Sequence, residues 1–456
     1  MRFSKLASLL VVSLLLGSAS STMTEGIASA CGGCFAPPEN NTVVTDHRMI
    51  LAIGSNETTL YDQIRYQGSP ESFAWVLPIR GEVKVGISSD AVFSALDQIS
   101  SVQVIPPPRN CPPPPDCRSS NDFAASENVD ASVSDSGVTV LRQETVGPYE
   151  TVQLRSTDTQ ALNKWLTEKG YRITPEIEPV IANYVAEKFD FLALKLVPGK
   201  SVTSMKPVRV SMPGASPVLP LRMVAAGTGA SVGITLWTLG DGRWEPQNFP
   251  KFVVSEKELI WTWAENASNF KTLRAKKNGE LGGSAWEIES SILSSTYSIA
   301  GSIRSIARYG TQNSWQEGDL ADEYPDVKDE KGSVVTDAEA NFQDDMGHLF
   351  GNKASIRVTR MRADLPQVSL ASDLALQASQ DQSELSTTRV VTQEADQPLC
   401  PVFRGCENVG QAPRDEAMSS SGGCSVAPES DAEVVGAVAV FGVAIFARRR
   451  KKSQSK

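Results

Sequence analysis

The chain has 456 residues, 41% hydrophobic and 21% charged, with 33 glycines and 27 prolines, a globular mixture that excludes whole-chain disorder and a multi-pass membrane protein. Its 43 Lys and Arg against 53 Asp and Glu give a net charge of −10, the wrong sign for tracking nucleic-acid phosphates. Only two histidines are present, His47 and His348, so a multi-histidine metal site is excluded as well.

Residues 1–30 carry the pattern of an export signal. Arg2 and Lys5 supply the positive start, Leu6 to Leu16 the apolar stretch, and Ala28-Ser29-Ala30 the small-residue site for cleavage after Ala30. At the other end, Val434 to Ala447 is uncharged and runs into Arg448-Arg449-Arg450-Lys451-Lys452. Basic residues stay on the cytoplasmic side, so the pattern predicts a membrane-anchored envelope protein with its bulk outside the cytoplasm, on the outer surface in one version. The expected layout is a signal peptide at 1–30, an exported ectodomain at 31–376 with room for two subdomains, a polar stalk at 377–430, and a hydrophobic tail with a basic stop at 431–456. Within the ectodomain, 106–137 and 310–332 read as mobile insertions.

Seven cysteines are present, and six fall into close pairs: Cys31/Cys34, Cys111/Cys117 and Cys400/Cys406. In an exported chain such spacing predicts local disulfides, each stapling its own segment. Cys31-Gly32-Gly33-Cys34 also matches a redox motif or half a zinc site. It runs into Phe35-Ala36-Pro37-Pro38, which does not open the helix a redox thiol needs, and zinc would require a second ligand pair. Cys424 is left over beside the tail and reads as a processing or lipidation residue.

In chain order, Thr42 to Ile53 predicts an apolar strand and Thr58 to Tyr66 an alternating one. Phe73 to Leu77 is a continuous apolar strand with Trp75 at its centre. Ser89-Asp90 caps a short helix presenting Val92, Phe93, Leu96 and Ile99. The proline-rich stretch Pro106 to Cys117 reads as an extended loop. Strands follow at Val138 to Thr145 and Tyr149 to Arg155. Helices come next, from Thr159 to Lys169 with Leu162, Trp165 and Leu166 buried, and from Pro175 to Glu187. Further strands are expected at Phe189 to Val197, Val208 to Met212, Val218 to Val224, Val232 to Leu239, around Trp261 and Trp263, at Ile356 to Met361, and near Leu370 to Leu376. The fold class is therefore α+β and β-rich: antiparallel sheets, sandwich-like, with a few short amphipathic helices.

The chemistry-bearing residues are few. No G-x-S-x-G elbow or H-E-x-x-H motif occurs, and Gly227-Thr228-Gly229 lacks the lysine of a phosphate loop. His47 reads as a satisfied sheet histidine and His348 as a partly buried structural one. The acidic run Asp319 to Asp326 has oxygens for calcium without the alternating pattern of an EF-loop. No catalytic, cofactor or metal residue is assigned. Binding or structure at the cell surface leads, towards a protein or glycan partner, with a membrane contact through the tail and no nucleic acid. A calcium-dependent adhesin and an envelope hydrolase are the alternatives.

The stretch Ile64 to Ile79, ending Phe73-Ala74-Trp75-Val76-Leu77-Pro78, resembles a bacterial family catalogued as domain of unknown function 2330. Leu162 to Tyr171, Phe189 to Pro198 and Leu219-Pro220-Leu221-Arg222 are similar to it as well. So are Val358 to Pro366, Asp373-Leu374 and the opening Cys31-Gly32-Gly33, giving an expected span of Cys31 to Leu376. The resemblance implies an exported protein without an assigned reaction, so it carries over no catalytic residue. Gly423-Cys424-Ser425 with the hydrophobic run and arginines resembles the MYXO-CTERM sorting signal, whose distinctive residue is the cysteine.

Overall fold

The computed structural model describes residues 44–63, 74–114, 144–169, 171, 177–201, 204–225, 228–310, 318–328, 333–404 and 406–421. The export signal with Ala30, Cys31, Cys34, Cys117, Cys424 and the hydrophobic tail lie outside the described residues. These residues divide into two compact units, the first within 44–108 and 144–397, the second within 109–114 and 398–421.

Two sheets organise the first unit. Their strands in chain order are β1 (Val44–Ile53), β2 (Glu57–Asp62), β3 (Ala74–Ile79), β4 (Lys84–Ile87), β5 (Glu144–Val146), β6 (Tyr149–Leu154), β7 (Asp190–Leu196), β8 (Val208–Pro213), β9 (Thr228–Gly240), β10 (Lys251–Phe252), β11 (Trp286–Ser295) and β12 (Ser355–Pro366). The larger sheet has the order β10-β11-β12-β9-β1-β2-β8-β4, and the smaller β3-β7-β6-β5. Pairing is antiparallel except between β1 and β9 and between β10 and β11. The principal helices are α1 (Asp90–Ser100), α2 (Thr159–Glu168), α3 (Glu178–Ala186), α4 (Thr296–Tyr309) and α5 (Ala338–Phe350).

Alternation along the strands sorts the core into layers, because successive side chains leave a strand on opposite faces. Met49, Leu51 and Ile53 of β1 pack with Trp75, Leu77 and Ile79 of β3 and with Leu192 and Leu194 of β7, so the two sheets meet face to face. The intervening Ile50 and Ala52 pack on the other side with Phe93 and Leu96 of α1, Ile299 and Ile303 of α4, and Phe342 and Leu349 of α5. Val76, Phe191 and Ala193 turn the opposite way, towards Leu162, Leu166, Ile181 and Tyr184 of α2 and α3. The order is helices, large sheet, small sheet, helices. The mixed α+β, mostly antiparallel fold read from the sequence is the one observed.

Local chemistry sets the boundaries. Ser89 caps α1, its Oγ accepting from Ala91 N–H at 2.9 Å, and Asp158 does the same for α2 at Gln160 N–H, 2.8 Å. Between β5 and β6 the chain turns at Gly147, whose φ of 56° is open to glycine at little cost.

Several expectations are corrected. Val218 to Val224 is strand only at Val218–Leu219, after which Leu221–Val224 is a helical turn. The acidic segment near 320 is tied down where it is described: Leu320 and Tyr324 are buried in the core beneath α1, α4 and α5. Residues 377–397, expected in a polar stalk, belong to the first unit; Thr388–Val390 pairs in parallel with Gln103–Ile105. The described part of 398–421 is a hairpin, Leu399–Arg404 with Glu407–Pro413, followed by a short helix.

The cysteine pairing is corrected too. Cys111 is bonded to Cys400 within the second unit, across 289 residues of sequence, so neither Cys111/Cys117 nor Cys400/Cys406 is a local pair. Cys406 is also disulfide-bonded. Closeness in the chain misled here because the hairpin at 399–413 and residues 109–114 pack within one unit, although 289 residues of sequence separate their cysteines.

Candidate functional site

A cleft of about 730 Å³ runs along β6, between the β3–β4 turn on one side and α2 with Tyr171 on the other. Strand register places its charges. Glu150 on β6 lies directly opposite Lys195 on β7, and the two form an ion pair at 3.0 Å. Arg155, just past β6, grips Asp190 with two hydrogen bonds, Nε to Oδ1 at 2.8 Å and Nη2 to Oδ2 at 2.7 Å. The amide of Gln153 is occupied by the backbone of Val83, accepting from its N–H at 3.0 Å and donating to its carbonyl at 2.7 Å. Among the described lining residues, Glu82, Glu150 and Asp190 balance Arg155, Lys169 and Lys195.

One wall is aromatic. Trp165 of α2 is partly buried, and its ring lies near-parallel to that of Tyr171, at 23° with centroids 6.4 Å apart. Tyr171 is held by its own N–H, which donates to the Leu166 carbonyl at 2.8 Å. Its hydroxyl is buried and has no hydrogen-bond partner. Burial first, and the Glu150 carboxylate second, push this phenol up to about 12.

A second polar constellation joins β2, β8 and α5. His348 Nδ1 lies 2.7 Å from Glu57 Oε1 and 3.1 Å from Ser211 Oγ, while Nε2 lies 3.7 Å from Asp344. A hydrolytic triad needs the hydroxyl on one imidazole nitrogen and the orienting carboxylate on the other. Here the nearest of each crowd the same nitrogen, and the Ser211 hydroxyl also bonds Thr59 at 2.9 Å across the strand pair. The arrangement clasps α5 to the sheet. Next to it Arg209 binds both Asp344 and Asp345.

Other singled-out residues are distributed elsewhere. His47 on β1 is fully buried, but neither ring nitrogen has a hydrogen-bond partner, so the satisfied sheet histidine is not what is found. Burial lowers it to about 3, which keeps it neutral. The acidic run is used for backbone capping: Asp319 accepts from Ala321 N–H at 3.2 Å, Asp322 from Asp319 N–H at 3.2 Å, and Asp326 from Ala338 N–H at 3.0 Å. Sequence reasoning placed Trp165 in the core and did not single out Tyr171, Glu150 or Arg155. Their meeting depends on the β6–β7 register and on where the chain re-enters after α2, neither of which is written in local spacing.

A family model described as an uncharacterized protein conserved in bacteria, DUF2330, matches residues 26–290. That is more than half of the chain. The protein belongs to the DUF2330 family. The match stops within β11, short of the expected Leu376, yet β12 sits between β9 and β11 in the large sheet. The fold containing the DUF2330 region is thus completed by strands beyond it, while the whole described cleft lies within it. Neither a curated protein nor a solved structure matches the chain.

Proposed function

We propose that this DUF2330 protein is exported to the cell envelope and acts there by binding, with the cleft along β6 as its site. The observation that carries the reading is the half-buried Trp165 indole on the wall of that cleft, set beside the paired charges Glu150–Lys195 and Arg155–Asp190. A concave site that sets an aromatic face beside a few placed polar groups is the usual lining of a small-ligand pocket. The export-signal pattern of residues 1–30 and the Cys111–Cys400 bridge support a location in an oxidising compartment. No helix among the described residues is long and apolar enough to cross a membrane. Anchoring is assigned to the tail, held transiently by its basic stop until Cys424 is lipidated or the tail is removed.

Two measurements test this reading. Crosslinking on intact cells should recover a partner with the parent chain and lose it with Trp165→Ala; equal recovery from both would remove the cleft from consideration. Mass spectrometry of the mature C-terminus should find Cys424 modified or the tail absent. An intact, unmodified chain ending at Lys456 would overturn the processing proposal.

A further inference from the structure

Granted that the cleft binds, its edges name the class of partner: we propose that it takes an extended segment of another polypeptide, added as a strand alongside β6 beyond Thr151. Register decides which main-chain groups are on offer. In an antiparallel sheet, successive residues of a strand turn their N–H and C=O alternately to one neighbour and to the other. Val197 N–H donates to the Pro148 carbonyl at 2.9 Å, so Glu150, Val152 and Leu154 turn these groups to β7, while Tyr149, Thr151 and Gln153 turn theirs the opposite way. On that outer side β5 reaches only as far as Glu144, opposite Thr151. Gln153 comes next, and among the described residues no strand pairs with it there. Residues from both faces of β6 line the cleft, Glu150 and Leu154 from one and Thr151 and Gln153 from the other, so the cleft follows this open edge.

The opposite wall is a strand edge too. Ser88 N–H donates to the Pro207 carbonyl at 2.8 Å, so Lys84 and Gly86 bond to β8 while Val83 and Val85 face away from it. Val83 shows what this wall accepts. The Gln153 side-chain amide takes its N–H at 3.0 Å and donates to its carbonyl at 2.7 Å, the acceptor and donor that an added strand supplies. Val85, the next residue on that edge, lines the cleft. Side chains suit the same occupant. Leu154 and Trp165 are half-buried on the helix side of β6, and an extended chain sets a side chain towards them at every second position. Glu150–Lys195 and Arg155–Asp190 are already paired, so the segment that fits is apolar at alternate positions and needs no net charge.

The test is titration of the mature chain with soluble peptides of about seven residues, uncharged overall and apolar at alternate positions. Each peptide is also made with N-methyl groups on alternate residues, in both phases. One phase removes the N–H groups that face β6 and the other those that face away. At least one parent peptide should bind, one methylated phase should weaken it by about tenfold or more, and the other should stay within about threefold. Trp165→Ala should weaken the parent peptide by about tenfold. The main-chain amide of Gln153 should exchange with solvent freely in the chain alone and at least about tenfold more slowly with peptide bound. Protection of that amide in the chain alone would show the edge already filled and overturn the proposal. So would folded protein that binds none of the peptides, or methylation in the two phases having equal effect. If a partner is still captured from cells and lost with Trp165→Ala in those cases, strand addition falls and the binding cleft stands. Peptide binding unaffected by Trp165→Ala would remove the cleft itself.

Discussion

Arg209 Nη1 lies 3.2 Å from Asp345 Oδ1, and this carboxylate has no exposure to solvent. Its other oxygen accepts from Ser88 Oγ at 2.6 Å and from the Tyr324 hydroxyl at 3.0 Å. One carboxylate on α5 thus holds β8, the entry to α1 and the segment after Leu320. Burial drives Asp345 above the usual carboxylate range, against the opposing pull of Arg209, Ser88 and Tyr324. Removing one partner from a buried ion pair leaves the other charge uncompensated, so Arg209→Ala should destabilise the protein by about 3–5 kcal/mol. Urea unfolding of the variant checks this; a loss of under about 1 kcal/mol would show that the cluster is solvated and loose.

Glu287 on β11 should make stability depend on pH in an unusual direction for a carboxylate. It is buried, and burial first, then Glu289, push it up to about 7 against the pull of Arg274, Arg389 and Arg362. In the unfolded chain it titrates near 4.5. Between those values the folded protein holds a proton that the unfolded chain has released, so folding is favoured at low pH. The contribution is fully present below about 4.5 and is lost as pH rises through about 7, a change of about 3 kcal/mol. Denaturation midpoints at pH 5 and pH 8 should therefore differ less in Glu287→Gln than in the parent. An unchanged difference would assign the pH dependence to other groups.

What the sequence disclosed was local. Ser89 ahead of Val92, Phe93 and Leu96 marked α1, and the unbroken apolar run at Phe73 to Leu77 marked β3, because caps and periodicity act within a few residues. Helix α4 carries Ile299, Ile303 and Ala307 at helical spacing, but serines at 298, 302 and 305 diluted the pattern and no helix was expected there. The cleft was hidden for a different reason. Glu150 meets Lys195 through strand register, and Tyr171 meets Trp165 across the end of a helix; neither contact follows from composition or spacing. The same limit produced the wrong cysteine partners.

Trp75 separates a packing role from a binding one. It is fully buried between the two sheets on β3, as its place in the apolar run predicts, and it does not line the cleft. Trp75→Ala should destabilise by about 3–5 kcal/mol through lost contacts and a residual cavity. The protein that remains folded should keep the parent's ligand affinity. A variant as stable as the parent but defective in binding would reverse the assignment and make Trp75 an interaction residue.

The bridge between Cys111 and Cys400 should matter to the stability of the whole chain. A disulfide between neighbours six residues apart would constrain little, whereas this one encloses 289 residues of sequence separation. In the chain-entropy account, restricting a loop of that length in the unfolded state contributes roughly 6 kcal/mol at most. Peptide mapping without reduction should recover Cys111 linked to Cys400 and no Cys400–Cys406 peptide. Replacing Cys111 and Cys400 together by serine should lower the denaturation midpoint of the first unit while leaving its fold intact, since its sheets and core contain neither cysteine. A double variant with an unchanged midpoint would mean that the unfolded chain already keeps these segments together, and that the bridge acts only on the small hairpin unit that holds it.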